Sequence, residues 1–271
     1  AQTISSASNS IPATITGNLV IDNPAGVTLG ANKTVNTPGT FTVKANAVFY
    51  FGTGVSTNSY NINGTGNLSV ESGASLFITN SNGITSDGTT GSIRLTGSRS
   101  FASGVNYTFT KSDGINQSKT GASFGSEITS VNNMAFNNPL GSRLSTNVTV
   151  NGTLSLLSGK LNTDANSLTL ANGASISRND TTWLIGNLIK KIFSGNPTVT
   201  YEIGPDSLTY TPVTLNMNSV STPGNISVRP VSGSHPSLSS SVLSSTKRLN
   251  CYFTLAGSAA FTNYSASVNY S

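Results

Sequence analysis

VKANAVF at Val43–Phe49, VESGASL at Val70–Leu76 and LANGASI at Leu170–Ile176 are three copies of one heptapeptide. Each reads as an apolar residue, two variable positions, Asn or Gly, Ala, a variable position and a second apolar residue. The fourth position is Asn46, Gly73 or Gly173, the residue types that enter the left-handed region at least cost. The pattern therefore predicts a strand, a one-residue corner and a second strand. The small side chain that follows (Ala47, Ala74, Ala174) suits a turning chain packed closely against its neighbour.

A longer duplication surrounds these copies. IDNPAGVTL at Ile21–Leu29 resembles FNNPLGSRL at Phe136–Leu144, and NKTVNTPGTFTV at Asn32–Val43 aligns with NVTVNGTLSL at Asn147–Leu156. Apolar residues alternate within these runs, as at Val148 and Val150 or Leu154 and Leu156, which means strands. The landmarks Val20, Val43, Val70 and Leu95 recur at about the spacing of a coil of short strands with tight corners, and no helical period intervenes. One such unit cannot bury its apolar face alone, whereas a stack of them can. The expected fold is all-β: a parallel β-solenoid (β-helix) with ~25-residue coils over residues 1–180. A sandwich array is the competing architecture, and Asn-Gly turns at Asn63, Asn82, Asn151 and Asn172 are compatible with it.

After residue 180 the texture changes. Trp183, the sole Trp, introduces WLIGNLIKKIF, followed by VTYEIG, LTYTPVTLNM, NISVRPV, LNCYFTLAG and YSASVNY. These are alternating runs punctuated by Pro, Gly and Ser, without the corner pattern. Residues 181–271 are expected to form a small antiparallel β-sandwich that covers the last coil, whose open edge would otherwise invite aggregation. The alternating run that ends at Ser271 suggests a natural chain that continues, and Ala1-Gln2-Thr3-Ile4 reads like a chain after removal of a signal peptide.

Composition excludes much chemistry. Only 8% of the 271 residues are charged, against about a quarter in an average protein, while 44 Ser, 36 Thr and 32 Asn dominate. Cys251 and His235 are the single Cys and the single His, so neither a disulfide nor a Cys/His zinc site can form within one copy. Cys251 reads as a buried small hydrophobe in an apolar strand, with an exposed thiol that dimerises as the alternative, and His235, before Pro236, as a loop residue. No run of 18 apolar residues offers a membrane span. The net charge of +5 does not point to nucleic acid, because the only adjacent basic pairs are Lys190-Lys191 and Lys247-Arg248, in different segments. No cofactor is expected.

The stretch from Val131 to Arg178, with WLIGNLIKKI, YEIGPDSLTYTPVTL and LNCYFTL after it, resembles the β-solenoid repeats of large secreted surface proteins of Bacteroidota. The resemblance covers residues 125–271 well and 14–80 more loosely. It implies export through the type IX system, a secreted or cell-surface location and adhesin-like roles, with surface glycans or other cell-surface proteins as partners. The sorting domain of that system is not recognisable. The same resemblance implies O-glycans on Ser or Thr after Asp when an aliphatic residue, Met or Thr follows. Thr181 in Asp180-Thr181-Thr182 and Ser207 in Asp206-Ser207-Leu208 fit.

Two other functions compete with a non-catalytic stalk. A glycan-active β-helix enzyme needs converging carboxylates, and the nine acids (Asp22, Glu71, Asp87, Asp113, Glu127, Asp164, Asp180, Glu202, Asp206) are scattered. Stacking would bring Asp22 and Glu71 to one face two coils apart, and Glu202 and Asp206 with Tyr201 and Tyr210 could line a groove. An ice-binding solenoid needs a flat Thr ladder. Aligned on the corner, the candidate positions read Thr42, Ser69 and Thr169, then Thr40, Asn67 and Ser167, which is mixed.

Overall fold

The computed structural model describes residues 2–4, 11–53, 58–110, 115–242, 244 and 249–269. Asp113 and the Lys247-Arg248 pair lie outside them. In the first heptapeptide, Thr40–Val43 enters a turn in which the Ala47 N–H donates to the Lys44 carbonyl at 3.1 Å, and Val48–Tyr50 leaves it. Ala74 donates to Glu71 and Ala174 to Ala171 at the same distance. Asn46, Gly73 and Gly173 have φ of 63°, 87° and 80°. A side chain at Gly73 would sit in the left-handed region with its Cβ 3.3 Å from the Asn46 side chain one layer away. Gly73→Val is therefore expected to lower stability by about 1–2 kcal/mol in a thermal or urea melt; an unchanged midpoint would refute that. FASGVNY at Phe101–Tyr107 repeats the turn, with Val105 donating to Ala102 at 3.3 Å. Val stands there in place of the small residue, which is why the copy is hard to see in the sequence.

These corners feed three parallel sheets in strict rotation. The first holds Ile93–Leu95, Ile62–Gly64, Lys33–Val35 and Thr14–Ile15, in that order. The second holds Arg99–Phe101, Asn67–Val70, Thr40–Val43 and Leu19–Ile21. The third runs through eight strands, from Gln2–Ile4 by way of Val48–Tyr50 and Asn106–Thr110 to Ser175–Arg178, every neighbour parallel. Chain order visits the first, second and third sheet and then the first again, so each round adds one strand to each. Side chains alternate on every strand, and the inward set (Phe41, Val43, Phe49, Leu76, Tyr107, Phe109, Phe136, Leu154) forms one continuous core.

Two of the four landmarks belong elsewhere. Ile21, not Val20, lies beside Val43, and Val20 points outward at 48% exposure. Val70 has Phe101 beside it, whereas Leu95 lies on the first sheet next to Gly64. The period is also uneven. Register partners on the eight-stranded sheet are 22 residues apart at Val27↔Phe49, 31 at Ser75↔Asn106 and 20 at Met134↔Leu154. Excursions such as 79–92 absorb the extra length.

From residue 118 the first two faces merge. Ser118–Lys119, Ser142–Arg143 and Leu161–Leu170 pair in parallel, and Leu161–Leu170 also takes Val148–Val150 beside its second half. One ten-residue strand thus does the work of two, with Asp164 at φ 52° where the direction changes. Leu184–Ile192 is the pivot of the chain. It pairs in parallel with Leu161–Leu170 on one edge and antiparallel with Gly224–Ser232 on the other, and Cys251–Gly257 follows. Thr198–Tyr201, Val213–Asn218 and Asn263–Val268 form a separate antiparallel sheet. Buried Tyr201 ties the two layers together by donating its hydroxyl to the Ile226 carbonyl at 2.9 Å. Leu238–Ser240 is the only helical turn among the described residues, and no helix is long and apolar enough to cross a membrane.

Tyr107 behaves differently from Tyr201. It is 1% exposed, and its hydroxyl has no hydrogen-bond partner among the described residues. A buried polar group without a partner opposes folding. Tyr107→Phe is expected to leave stability unchanged or raise it by about 1 kcal/mol, read from urea unfolding. A loss above that size would mean the hydroxyl has a partner.

Candidate functional site

Alternation decides what the merged sheet presents to solvent. Ser118, Ser142, Leu161 and Leu184 are all buried, so their neighbours Lys119, Arg143, Asn162 and Ile185 face outward. Those four are in register across consecutive parallel strands. At about 4.8 Å per strand the row extends roughly 14 Å.

A furrow follows this row. Its first cleft, about 330 Å³, lies between Asn82, Ile115, Gln117, Lys119 and Arg143. Gln117 and Arg143 also line the next, about 550 Å³, which reaches Lys160, Asn162, Asp206 and Ser207. Asn162, Ile185 and Pro205 pass it on to a third of about 780 Å³, bounded by Asp164, Arg229 and Thr254. Eight separate stretches of chain build this surface.

The furrow holds four cations against two carboxylates. Arg143 is fixed at both ends: its Nε donates to Gln117 Oε1 at 2.7 Å and its Nη1 meets Asp164 Oδ1 at 2.6 Å. Lys160 Nζ lies 4.2 Å from the ring centre of Trp183, and Trp183 Nε1 donates to the Asp206 carbonyl at 2.8 Å. Asp206 Oδ1 accepts the N–H groups of Leu208 and Thr209, both at 2.8 Å. Lys119 and Arg229 are exposed, and among the described residues neither has a carboxylate within ion-pair distance.

Elsewhere Glu71, Glu127, Glu202 and Asp87 are bound to structural partners. Ile21, Val43 and Val70 are in register, which places Lys44 between Asp22 and Glu71 rather than leaving the two acids facing each other. Lys44 Nζ meets Glu71 at 2.9 Å; that bond holds the lysine above its usual range and the Glu71 carboxyl below its own. Glu202 pairs with Lys190 at 2.7 Å, and Glu127 with Arg99 at 3.2 Å. Tyr201 is buried and Tyr210 packs against Trp183 with the Arg178 guanidinium over it, so of Tyr201, Glu202, Asp206 and Tyr210 only Asp206 lines the furrow.

Asp87 is the most heavily bonded acid. It accepts the N–H groups of Thr90 and Thr89 and the hydroxyls of Thr90 and Thr85, which hold its carboxyl well below the usual carboxylate range. A depressed folded value contributes stability that is present above the unfolded value near 3.9 and is lost as pH falls through the folded one. The gap in urea midpoint between wild type and Asp87→Asn is therefore expected to hold from pH 7 to about 5 and to narrow below about 4. A gap that widens on acidification would exclude this role.

The two candidate modification residues are exposed. Thr181 donates its hydroxyl to Asn179 Oδ1 at 2.8 Å, and Ser207 lies at the furrow's edge in the turn that Asp206 caps. The candidate Thr ladder pairs Thr40 with Asn67 and Thr42 with Ser69. The outer row of the eight-stranded sheet reads Thr28, Tyr50, Phe77, Thr108, Ala135, Ser155 and Ser177, interrupted by the Tyr50–Phe77 ring stack at 4.3 Å. Cys251 is half-buried rather than fully buried, because its strand lies at the edge of the sheet, and burial raises its thiol pKa; His235 is exposed and accepts the Ser237 N–H. No three metal-ligating side chains converge among the described residues.

Sequence reasoning touched the furrow only at Asp164, named among the acids, and at Asp206 and Ser207, named as a groove residue and a modification site. No protein-family model, curated protein or solved structure matches the chain, so the site rests on its own geometry.

Proposed function

We propose that the chain is a parallel β-solenoid followed by a small, mainly antiparallel β-sandwich over residues 181–271, with the strand Leu184–Ile192 shared between the two. In this reading it serves as a non-catalytic, adhesin-like stalk that is secreted or held at a cell surface, as the resemblance to Bacteroidota surface proteins implies. The rotation of the chain through three parallel sheets supports the solenoid. The tethered carboxylates carry the non-catalytic reading: Asp164 is bonded to Arg143 and Asp206 to two backbone N–H groups. A glycosidase needs one carboxyl free to protonate a leaving oxygen and a second free to attack or to activate water. Surface glycans or other cell-surface proteins are the proposed partners, and Thr181 and Ser207 the proposed O-glycan sites.

Protease treatment of intact source cells tests location. Peptides of this chain are expected in the supernatant without lysis, and their release only after lysis would sink the reading. Intact mass of the protein from its source tests the glycans, and an unmodified mass removes them. The enzyme alternative keeps one observation in its favour, namely that Asp164 and Asp206 line one furrow. Incubation with neutral and acidic polysaccharides is expected to release no new chain ends. Cleavage that Asp164→Asn or Asp206→Asn abolishes would establish the enzyme instead.

A further inference from the structure

We propose that the furrow along Lys119, Arg143, Asn162 and Ile185 binds one strand of a sparsely charged anionic polysaccharide, of the uronic-acid class. The inference rests on the adhesin-like reading above and names the ligand of its surface. Four observations lead to it. The row is linear and in register, so it offers a repeating set of contacts to a repeating polymer. Lys119 and Arg143 are register neighbours flanked by neutral amides (Gln117, Asn162), so charge is confined to part of the row, which suits carboxylates separated by hydroxyls. Lys119 and Arg229 have no carboxylate among the described residues and stand at opposite ends of the furrow. Ile115, 82% exposed, and Leu140, 42% exposed, present aliphatic surface to the CH faces of sugar rings.

The same features disfavour nucleic acid. Single-stranded nucleic acid is held by bases stacked on exposed aromatics. The aromatic nearest the furrow, Trp183, is 5% exposed and already covered by Lys160. Asp164 and Asp206 would also repel a phosphate on every unit, whereas they can accept hydrogen bonds from sugar hydroxyls.

The test is titration calorimetry of the whole chain with a hyaluronan octasaccharide, in which a uronate alternates with a neutral sugar, with dextran and with a 20-nucleotide oligo-dT. Lys119→Gln/Arg229→Gln removes two exposed cations whose side chains support no buried group, and Lys44→Gln removes one on another face. The hyaluronan octasaccharide is expected to bind, more weakly as salt rises from 20 to 150 mM because exposed charges are screened. The double variant is expected to lose about tenfold in affinity at an unchanged melting temperature, and Lys44→Gln to match wild type. Absence of uronate binding, equal binding by the double variant, or tighter binding of oligo-dT would each overturn the proposal. Dextran bound as tightly as uronate would overturn the anionic specificity while leaving an adhesin-like role intact, since protease release from intact cells decides that role separately.

Discussion

Phe49→Ala is expected to cost about 3–5 kcal/mol, the largest effect of any single truncation argued for this chain. Phe49 is fully buried at the centre of the stack of sheets, with the ring of Phe41 at 5.2 Å and that of Phe51 edge-on at 4.9 Å. Its register partners Val27 and Leu76 lie one layer before and one layer after it, and both are buried. Each layer is fixed to the next by a ladder of backbone hydrogen bonds at about 4.8 Å, so neighbouring layers cannot slide inward to fill the void. The cost should therefore fall toward the upper part of the range, where a site collapses poorly. Tyr50→Ala is the internal comparison. Tyr50 is the next residue and points to the other face, where it loses one ring contact to Phe77 and little burial, so about 1 kcal/mol is expected. Urea unfolding of both variants gives the comparison, and a Phe49→Ala cost no larger than that of Tyr50→Ala would show that the core is not a rigid stack.

That difference between adjacent residues was legible in the sequence because alternation survives in most stacked strands of three or more residues, such as Thr40–Val43 and Ser75–Ile78. The heptapeptide also marked the corners, since few residue types accept a φ near +60° to +90° and the chain placed Asn or Gly there. Register was harder. Val20 and Leu95 match the spacing by accident: the excursion at 79–92 displaces the strands that follow it, and an apolar residue at the expected interval need not share a sheet. Of the furrow only Asp206 was legible as a groove residue. Ser118–Lys119 and Ser142–Arg143 are two-residue strands, too short to carry a period, and the residues that line the furrow come from stretches between positions 81 and 254. Only parallel pairing brings Lys119, Arg143 and Asn162 into one row. Periodicity reports which way a side chain points and not which distant strand lies beside it.

Arg99→Met is expected to cost about 2–4 kcal/mol, for a reason unlike that at Phe49. Arg99 lies on the last strand of the second sheet, and its side chain is 5% exposed. Nη1 donates to the Thr85 carbonyl at 2.7 Å; Nη2 donates to Ser123 Oγ at 3.0 Å and lies 3.2 Å from Glu127 Oε2, while the buried Nε has no partner among the described residues. It thereby pins two excursions, 79–92 and 115–128, to the body of the stack. Met fills much of the same volume, so the loss is that of charge and donors rather than of packing. Glu127 remains 27% exposed, which lets water solvate it in part and keeps the cost below that of stranding a fully buried charge. Glu127→Gln, which leaves a buried cation with its two neutral acceptors, is expected to cost about 1 kcal/mol. The double variant should cost less than the two single ones together, with a coupling of about 1 kcal/mol that changes little between low and high salt, because a buried pair is poorly screened. Additive costs would mean that Arg99 is held by Thr85 and Ser123 alone. A coupling that disappears in salt would mean that the pair is open to solvent and that the excursions are not locked at this point.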